Sequence, residues 1–215
     1  VDVDGALEAA YFGVAKRATG IIAPGLVGNR EITPPARDVA GAKKLLAEAG
    51  KTSGVKLTLH LLNNSTMQSL AQVIQASLAE VGIEVELVPV APAIYWSLGN
   101  ESKGDGWKNL QLILTRYTSS PDPSQMTAWY TPQQVGVWNW ERFRNAEFGA
   151  LHKAGLVESD DVKRRPMYVR MQELMEQSGQ YVFLTHEVFG VLYSQAIVPA
   201  VMLDATPIYS RFRRA

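Results

Sequence analysis

Residues 116–145 hold the densest set of groups able to grip a small molecule: Tyr117, Trp129, Tyr130, Trp138, Trp140 and Phe143, interleaved with Arg116, Asn139, Arg142 and Asn145. Flat rings with polar edges suit a cleft that holds an organic ligand by apolar contact while a few polar groups fix its orientation. The same rings could instead pack a loop onto the body of the domain, and the residue types leave both readings open. Asp122, between Pro121 and Pro123, is open in the same way, as an N-cap or turn residue or as a direct ligand contact.

Nothing in the chain spells out bond-making chemistry. There is no Gly-x-Ser-x-Gly elbow, Gly-rich phosphate loop, His-Glu-x-x-His pair or EF-hand loop. His60, His152 and His186 fall on separate expected elements without metal-ligand spacing. Glu84 and Glu86 share one side of an expected strand, about 7 Å apart, and read as a solvated strand face rather than a catalytic carboxylate pair. The enzyme alternative is a hydrolase using His186 with Glu187 or Asp122 as acid and base. A third reading makes the aromatic surface a protein interface.

The elements that must position these groups follow from periodicity. Apolar Ala6, Leu7, Ala10, Tyr11 and Val14 predict a helix over 4–16, followed by a Gly- and Pro-rich connection over 18–35. Asp38 is the expected N-cap of a helix ending at Gly50, with Val39, Ala42, Leu45, Leu46 and Ala49 on one face. Alternation over 55–62 puts Val55, Leu57, Leu59 and Leu61 inside and Lys56, Thr58 and His60 outside. Ser65 with Gln68 reads as a capping box opening an amphipathic helix over 65–81, stopped by Gly82, before a second strand over 83–90. Two strands joined by a helix can lie parallel. A short helix over 92–98 carrying Tyr95 and Trp96, a polar loop over 100–106, a strand over 109–115, helices over 146–156 and 166–178, and one or two strands over 181–193 complete the series. Pro166 is expected in the first turn of its helix, with 160–165 a separate turn.

Composition bounds the partners. The 215 residues are 47% hydrophobic and 20% charged, enough for a sizeable core. Lys plus Arg and Asp plus Glu are both 21, so no net field draws the chain to nucleic acid or an acidic membrane; the basic 211–214 segment reads as a solvated tail. Absence of cysteine excludes disulfides, thiolate metal sites and cysteine nucleophiles. No apolar run reaches the 18 or so residues of a membrane span, and 1–20 lacks a signal-peptide pattern. The chain begins without methionine directly at a helical pattern, so an upstream part is expected.

The run Val39-Ala-Gly-Ala-Lys-Lys-Leu-Leu-Ala-Glu-Ala-Gly, the strand at 55–62, Leu78-Ala-Glu-Val-Gly-Ile, the strand at 84–88 and Ser120-Pro-Asp-Pro together resemble the C-terminal lobe of family 5 extracytoplasmic solute-binding proteins. These are the dipeptide, oligopeptide, nickel and opine receptors of ABC importers. The resemblance extends to Asn145-Ala-Glu-Phe-Gly-Ala-Leu and to Lys163-Arg-Arg before a helix. It implies an α/β periplasmic-binding-protein-like lobe, a mixed sheet flanked by helices around the strand-helix-strand unit at 55–90, with 1–215 one lobe of a longer two-lobed receptor. It also implies capture of a small solute or peptide for delivery to a membrane permease, in the periplasm, membrane-associated only if lipidated upstream, with no cofactor, metal, nucleic acid or enzymatic step. In peptide-binding relatives a tryptophan and an amine-pairing aspartate precede the Asp-Pro loop. Here those positions fall on Arg116 and Ser119, so the ligand is expected to carry an anionic or polar group rather than be gripped by its amine. The expected contacts are Arg116, Tyr117, Thr118, Ser119, Asp122, Trp138, Asn139 and Trp140.

Overall fold

The computed structural model describes residues 1–215 except 53, 119–120, 188–189 and 203–205. The chain opens with α1 (Val3–Tyr11), capped by the Asp2 carboxylate, which accepts from the Gly5 N–H at 3.0 Å. It is shorter than the apolar stripe suggests. Phe12 turns left-handed at φ 53° and Gly13 follows at 78°, so Val14 ends up exposed. After the irregular 12–38 stretch comes α2 (Val39–Glu48), with Asp38 as N-cap and Gly50 at φ 68° just past its end, as expected. No α2 residue is buried, and Leu45 is exposed. The apolar face read from the sequence therefore packs on nothing that buries it.

The centre is the strand-helix-strand unit: β1 (Val55–Leu62), α3 (Ser65–Ala79) and β2 (Ile83–Val90). The strands pair in parallel from Val55 opposite Ile83 to Leu62 opposite Val90, and α3 makes the crossover. Leu59 and Leu61 are buried and Lys56 is exposed, as alternation requires. Glu84 and Glu86 stay on the solvent side, where Lys56 Nζ reaches the Glu84 carboxylate at 2.9 Å. The cap of α3 sits one residue earlier than the sequence reading. Asn64 accepts from the Met67 N–H at 2.9 Å, and the Gln68 amide donates to Asn63 at 2.8 Å. Asn caps at least as well as Ser, and three consecutive residues here are able to cap.

Beyond β2, the short α4 (Pro92–Tyr95) leads through 3-10 turns to β3 (Leu112–Leu114), which pairs in parallel with the other edge of β1. The sheet order is β2-β1-β3, parallel throughout. The strand expected over 109–115 shrinks to three residues, and the Gln111 side-chain oxygen, not a backbone carbonyl, takes the Thr58 N–H at 2.7 Å. The helices α1 and α3 and the strands bury one core: Ala6, Leu7, Leu61, Met67, Leu70, Ala71 and Val85, closed by Tyr95, Leu114 and Trp140.

A second core forms around α5 (Pro123–Ala128), α6 (Ala146–Val157) and α7 (Asp161–Gln177), where Phe148, Tyr168, Met171 and Met175 are fully buried with Ile22 and Phe143. Helix α7 begins at Asp161, capped by Asp160, and runs through Pro166. That corrects the expected break at 160–165. Proline at the sixth helical position deprives only the Val162 carbonyl, and Val162 is exposed, so water can serve that carbonyl. The strands expected over 181–193 are absent among the described residues, apart from a bridge between Thr185 and Arg17. The antiparallel part of the structure is a separate pair of two-residue strands, β4 (Ile197–Val198) and β5 (Arg213–Arg214), both exposed.

Leu61 has no exposed surface and sits on the central strand. Leu61→Ala is expected to cost about 2–5 kcal/mol of stability, read as a lower urea midpoint at unchanged slope. A loss under about 1 kcal/mol would mean that β1 is not the packed centre of this sheet.

Candidate ligand-binding site

Parallel strands end on one side of a sheet, and in open α/β sheets the crevice beyond those carboxyl ends is where ligands bind. Here α4 leaves the end of β2 and brings Trp96, and the chain leaving β3 brings Arg116, Tyr117 and Thr118. Together with Gln125, Trp129 and Trp138 these residues line a concavity of about 360 Å³. Tyr117 stacks on Trp129 (centroids 5.7 Å apart, planes at 17°), and Trp129 meets Trp138 edge-on at 5.5 Å and 72°. The Tyr117 hydroxyl donates to the Trp138 carbonyl at 2.8 Å. Burial raises its pKa well above the ordinary tyrosine value, so it remains a donor.

Behind this wall the rings become structural. Trp140 is buried, donates from Nε1 to the Val137 carbonyl at 2.9 Å and packs on Tyr95. The backbone at Gly99 lies so close that an added Cβ would sit 2.0 Å from the Trp140 ring. Asn139 between the two tryptophans has no exposed surface. Its amide donates to the carbonyls of Tyr130, Thr131 and Phe143 (3.1, 3.2 and 2.8 Å) and its oxygen accepts from the Phe143 N–H at 2.9 Å. Asp122 caps α5 by accepting from the Ser124 N–H, and its two oxygens also accept from Arg164 Nη2, at 3.0 and 2.8 Å. Burial works against its charge, but the bonds from Ser124 and Arg164 prevail and hold the carboxyl below its usual value.

Of the eight contacts expected from sequence, then, the fold brings Arg116, Tyr117, Thr118 and Trp138 to one surface, while Asp122, Asn139 and Trp140 are engaged elsewhere. Ser119 lies outside the described residues. Trp96, Gln125 and Trp129 were not among the eight. Trp96 was findable because it follows β2 as Arg116 follows β3. Trp129 needed the start of α5, since one and a half turns from Pro123 carry it back beneath Tyr117.

Arg116 is not a lone cation. Its Nη1 donates to the Glu187 carboxylate at 2.5 Å, and the Tyr11 hydroxyl reaches the other Glu187 oxygen at 3.4 Å. Burial first, and the Glu187 charge second, push the Tyr11 phenol up to about 12. The acid-base alternative is not assembled. The buried His186 Nε2 has no hydrogen-bond partner, and no carboxylate lies within bonding reach of that ring among the described residues. Burial lowers the pKa of His186, His152 and His60 alike, favouring their neutral forms. Among the described residues no cluster of three or more His, Cys, Asp or Glu could hold a metal, and no helix is long and apolar enough to cross a membrane.

A second concavity of about 300 Å³ includes Arg17, Arg37, Asp38 and Glu176. Its charges already serve the fold: Arg37 pairs with Glu80, Glu176 with Arg30, Arg17 bonds the Pro35 carbonyl, and Asp38 caps α2. It shares no residue with the aromatic one.

Over residues 1–136 the chain matches the family described as bacterial extracellular solute-binding proteins, family 5 Middle. The chain belongs to this family. The family 5 chain is 25% identical over 189 residues to the glutathione-binding protein GsiB of Escherichia coli, covering 84% of this chain and 36% of that one. It thus spans about a third of the length of the curated relatives it matches. Among solved structures it is similar to DppA from Helicobacter pylori in complex with peptide STSA, at 25% identity and TM-score 0.73, covering 86% of this chain and 36% of that one. HbpA2 from Haemophilus parasuis, at 19% identity, shares the fold over 100% of this chain and 43% of its own, with TM-score 0.86.

Glu141 gives the site's hinterland a pH signature. Its Oε2 is buried without a hydrogen-bond partner, and its charge is felt at Tyr95, Tyr117, Tyr130 and Tyr181. Burial raises its pKa above the ordinary 4.5, opposed in part by its own backbone N–H. A carboxyl that holds its proton more tightly when folded contributes stability that is full below that ordinary value and is lost as pH rises through the folded one. Relative to Glu141→Gln, wild type is therefore expected to lose melting temperature as pH rises above 4.5. Parallel pH profiles of the two proteins would refute this. Asn139→Ala, which strands four backbone bonds, is expected to cost about 3 kcal/mol or more by chemical unfolding.

Proposed function

We propose that this family 5 chain is the C-terminal lobe of a two-lobed, extracytoplasmic receptor for an ABC importer. The receptor closes on a small solute or peptide and hands it to a membrane permease. The observation that carries the reading is the aromatic concavity beyond the carboxyl ends of the parallel strands, walled by three tryptophans and Tyr117, with Arg116, Thr118 and Gln125 as its polar groups. Membership of a solute-binding family and the absence of an assembled acid-base pair favour binding over catalysis. Relatives named for glutathione and solved with a peptide make peptide-like molecules the first ligands to try.

The ring wall suits an apolar or flat portion of the ligand, and Arg116 suits a carboxylate, which it can meet through more than one N–H. With the rest of the receptor contributing the opposite wall, this lobe buries only part of the ligand. In the receptor carrying this chain, Arg116→Ala is expected to weaken binding of glutathione or a short peptide by about tenfold or more, the worth of one charge-assisted hydrogen bond. Isothermal calorimetry reads the change, and an unaltered Kd would take Arg116 out of the site.

A further inference from the structure

We propose that Glu187 is a specificity-determining residue of the concavity. With Arg116 it forms a fixed dipole that selects ligands carrying an ammonium and a carboxylate on one carbon, as in the head of an α-amino acid. The inference rests on the receptor reading and adds the charge pattern of the ligand to it.

Arg116 lines the concavity, and Glu187, which does not itself line it, is paired with Arg116, so an opposite charge stands beside the cation that faces the ligand. Neither is sealed: their side chains are 48% and 24% exposed. Each also keeps bonding capacity. A guanidinium has five N–H donors, and among the described residues Arg116 is bonded through Nη1. Each carboxylate oxygen of Glu187 has room for a second donor beside Arg116 or Tyr11.

The pair is held from behind. Tyr11 of α1 bonds Glu187, the Thr185 hydroxyl donates to the Lys16 carbonyl at 2.7 Å, and the Ala18 N–H donates to the Leu184 carbonyl at 2.9 Å. A ligand therefore meets both charges together and does not simply push Glu187 aside. A ligand with a carboxylate alone would gain Arg116 but sit against the Glu187 charge, and an amine alone would meet the reverse. A molecule with both groups on one carbon satisfies each pole, while its side chain rests on Trp96, Trp129 and Trp138.

Three related probes separate these cases: L-phenylalanine, N-acetyl-L-phenylalanine and L-phenylalanine amide, titrated into the receptor carrying this chain while the indole N–H signals are followed by NMR. L-phenylalanine is expected to bind about tenfold more tightly than either blocked form. Glu187→Gln should remove its advantage over the N-acetyl form. The charge swap Arg116→Glu with Glu187→Arg should restore the preference that each single change abolishes. The wild-type comparison needs no substitution, so it stands even if a variant fails to fold. Equal affinities for the three probes, or tightest binding of the N-acetyl form, would overturn the dipole while leaving the receptor reading intact. Failure of all three to move the indole signals of Trp96, Trp129 and Trp138 would overturn the dipole as well, and the receptor reading then stands or falls on its own test with glutathione or a short peptide.

Discussion

The buried amide of Asn139 is the constraint on which the candidate binding face depends. Its donors and acceptor are bound by the backbone at Tyr130, Thr131 and Phe143, and a buried amide so satisfied has one low-energy placement. On its N-terminal side Trp138 faces the concavity, while on its C-terminal side Trp140 enters the sheet core and Phe143 the helical core. One residue therefore ties the two cores together and decides which ring is left for a ligand. Tyr117 adds the second tie by bonding the Trp138 carbonyl.

The strand-helix-strand unit was legible because its two periods are unambiguous: alternation in β1, and a helical stripe of Met67, Leu70, Ala71 and Ile74 in α3. Ends were less legible, for local reasons. Asn63, Asn64 and Ser65 can all cap, and only the geometry picks Asn64. Helix α1 stops where Phe12 takes a conformation uncommon for its type. The apolar pattern of α2 was read correctly as a helix with one apolar face, yet none of its residues is buried, because periodicity reports a face and not what covers it. Pro166 was weighed as a helix breaker, yet it removes one bond at an exposed position.

The makeup of the candidate surface was legible in part. Strand-end logic finds Arg116, Tyr117 and Thr118, which follow β3 directly, and the density of aromatics finds Trp138. It cannot tell Trp138 from Trp140, since that distinction lies in Gly99 making room for the Trp140 ring. Glu187 stands 71 residues from Arg116, and no spacing rule links them. The charge of Arg116, taken alone in the sequence, becomes half of a pair in three dimensions.

Because β1 is paired on both sides, the sheet's open margins among the described residues are β2 and β3, and an open margin is a template on which a foreign strand can assemble. Both margins resist. Strand β2 carries Glu84 and Glu86 and lacks a donor at Pro89, while β3 is three residues long. The described sheet is thus protected from polymerising through its margins, while the concavity beyond its strand ends stays open.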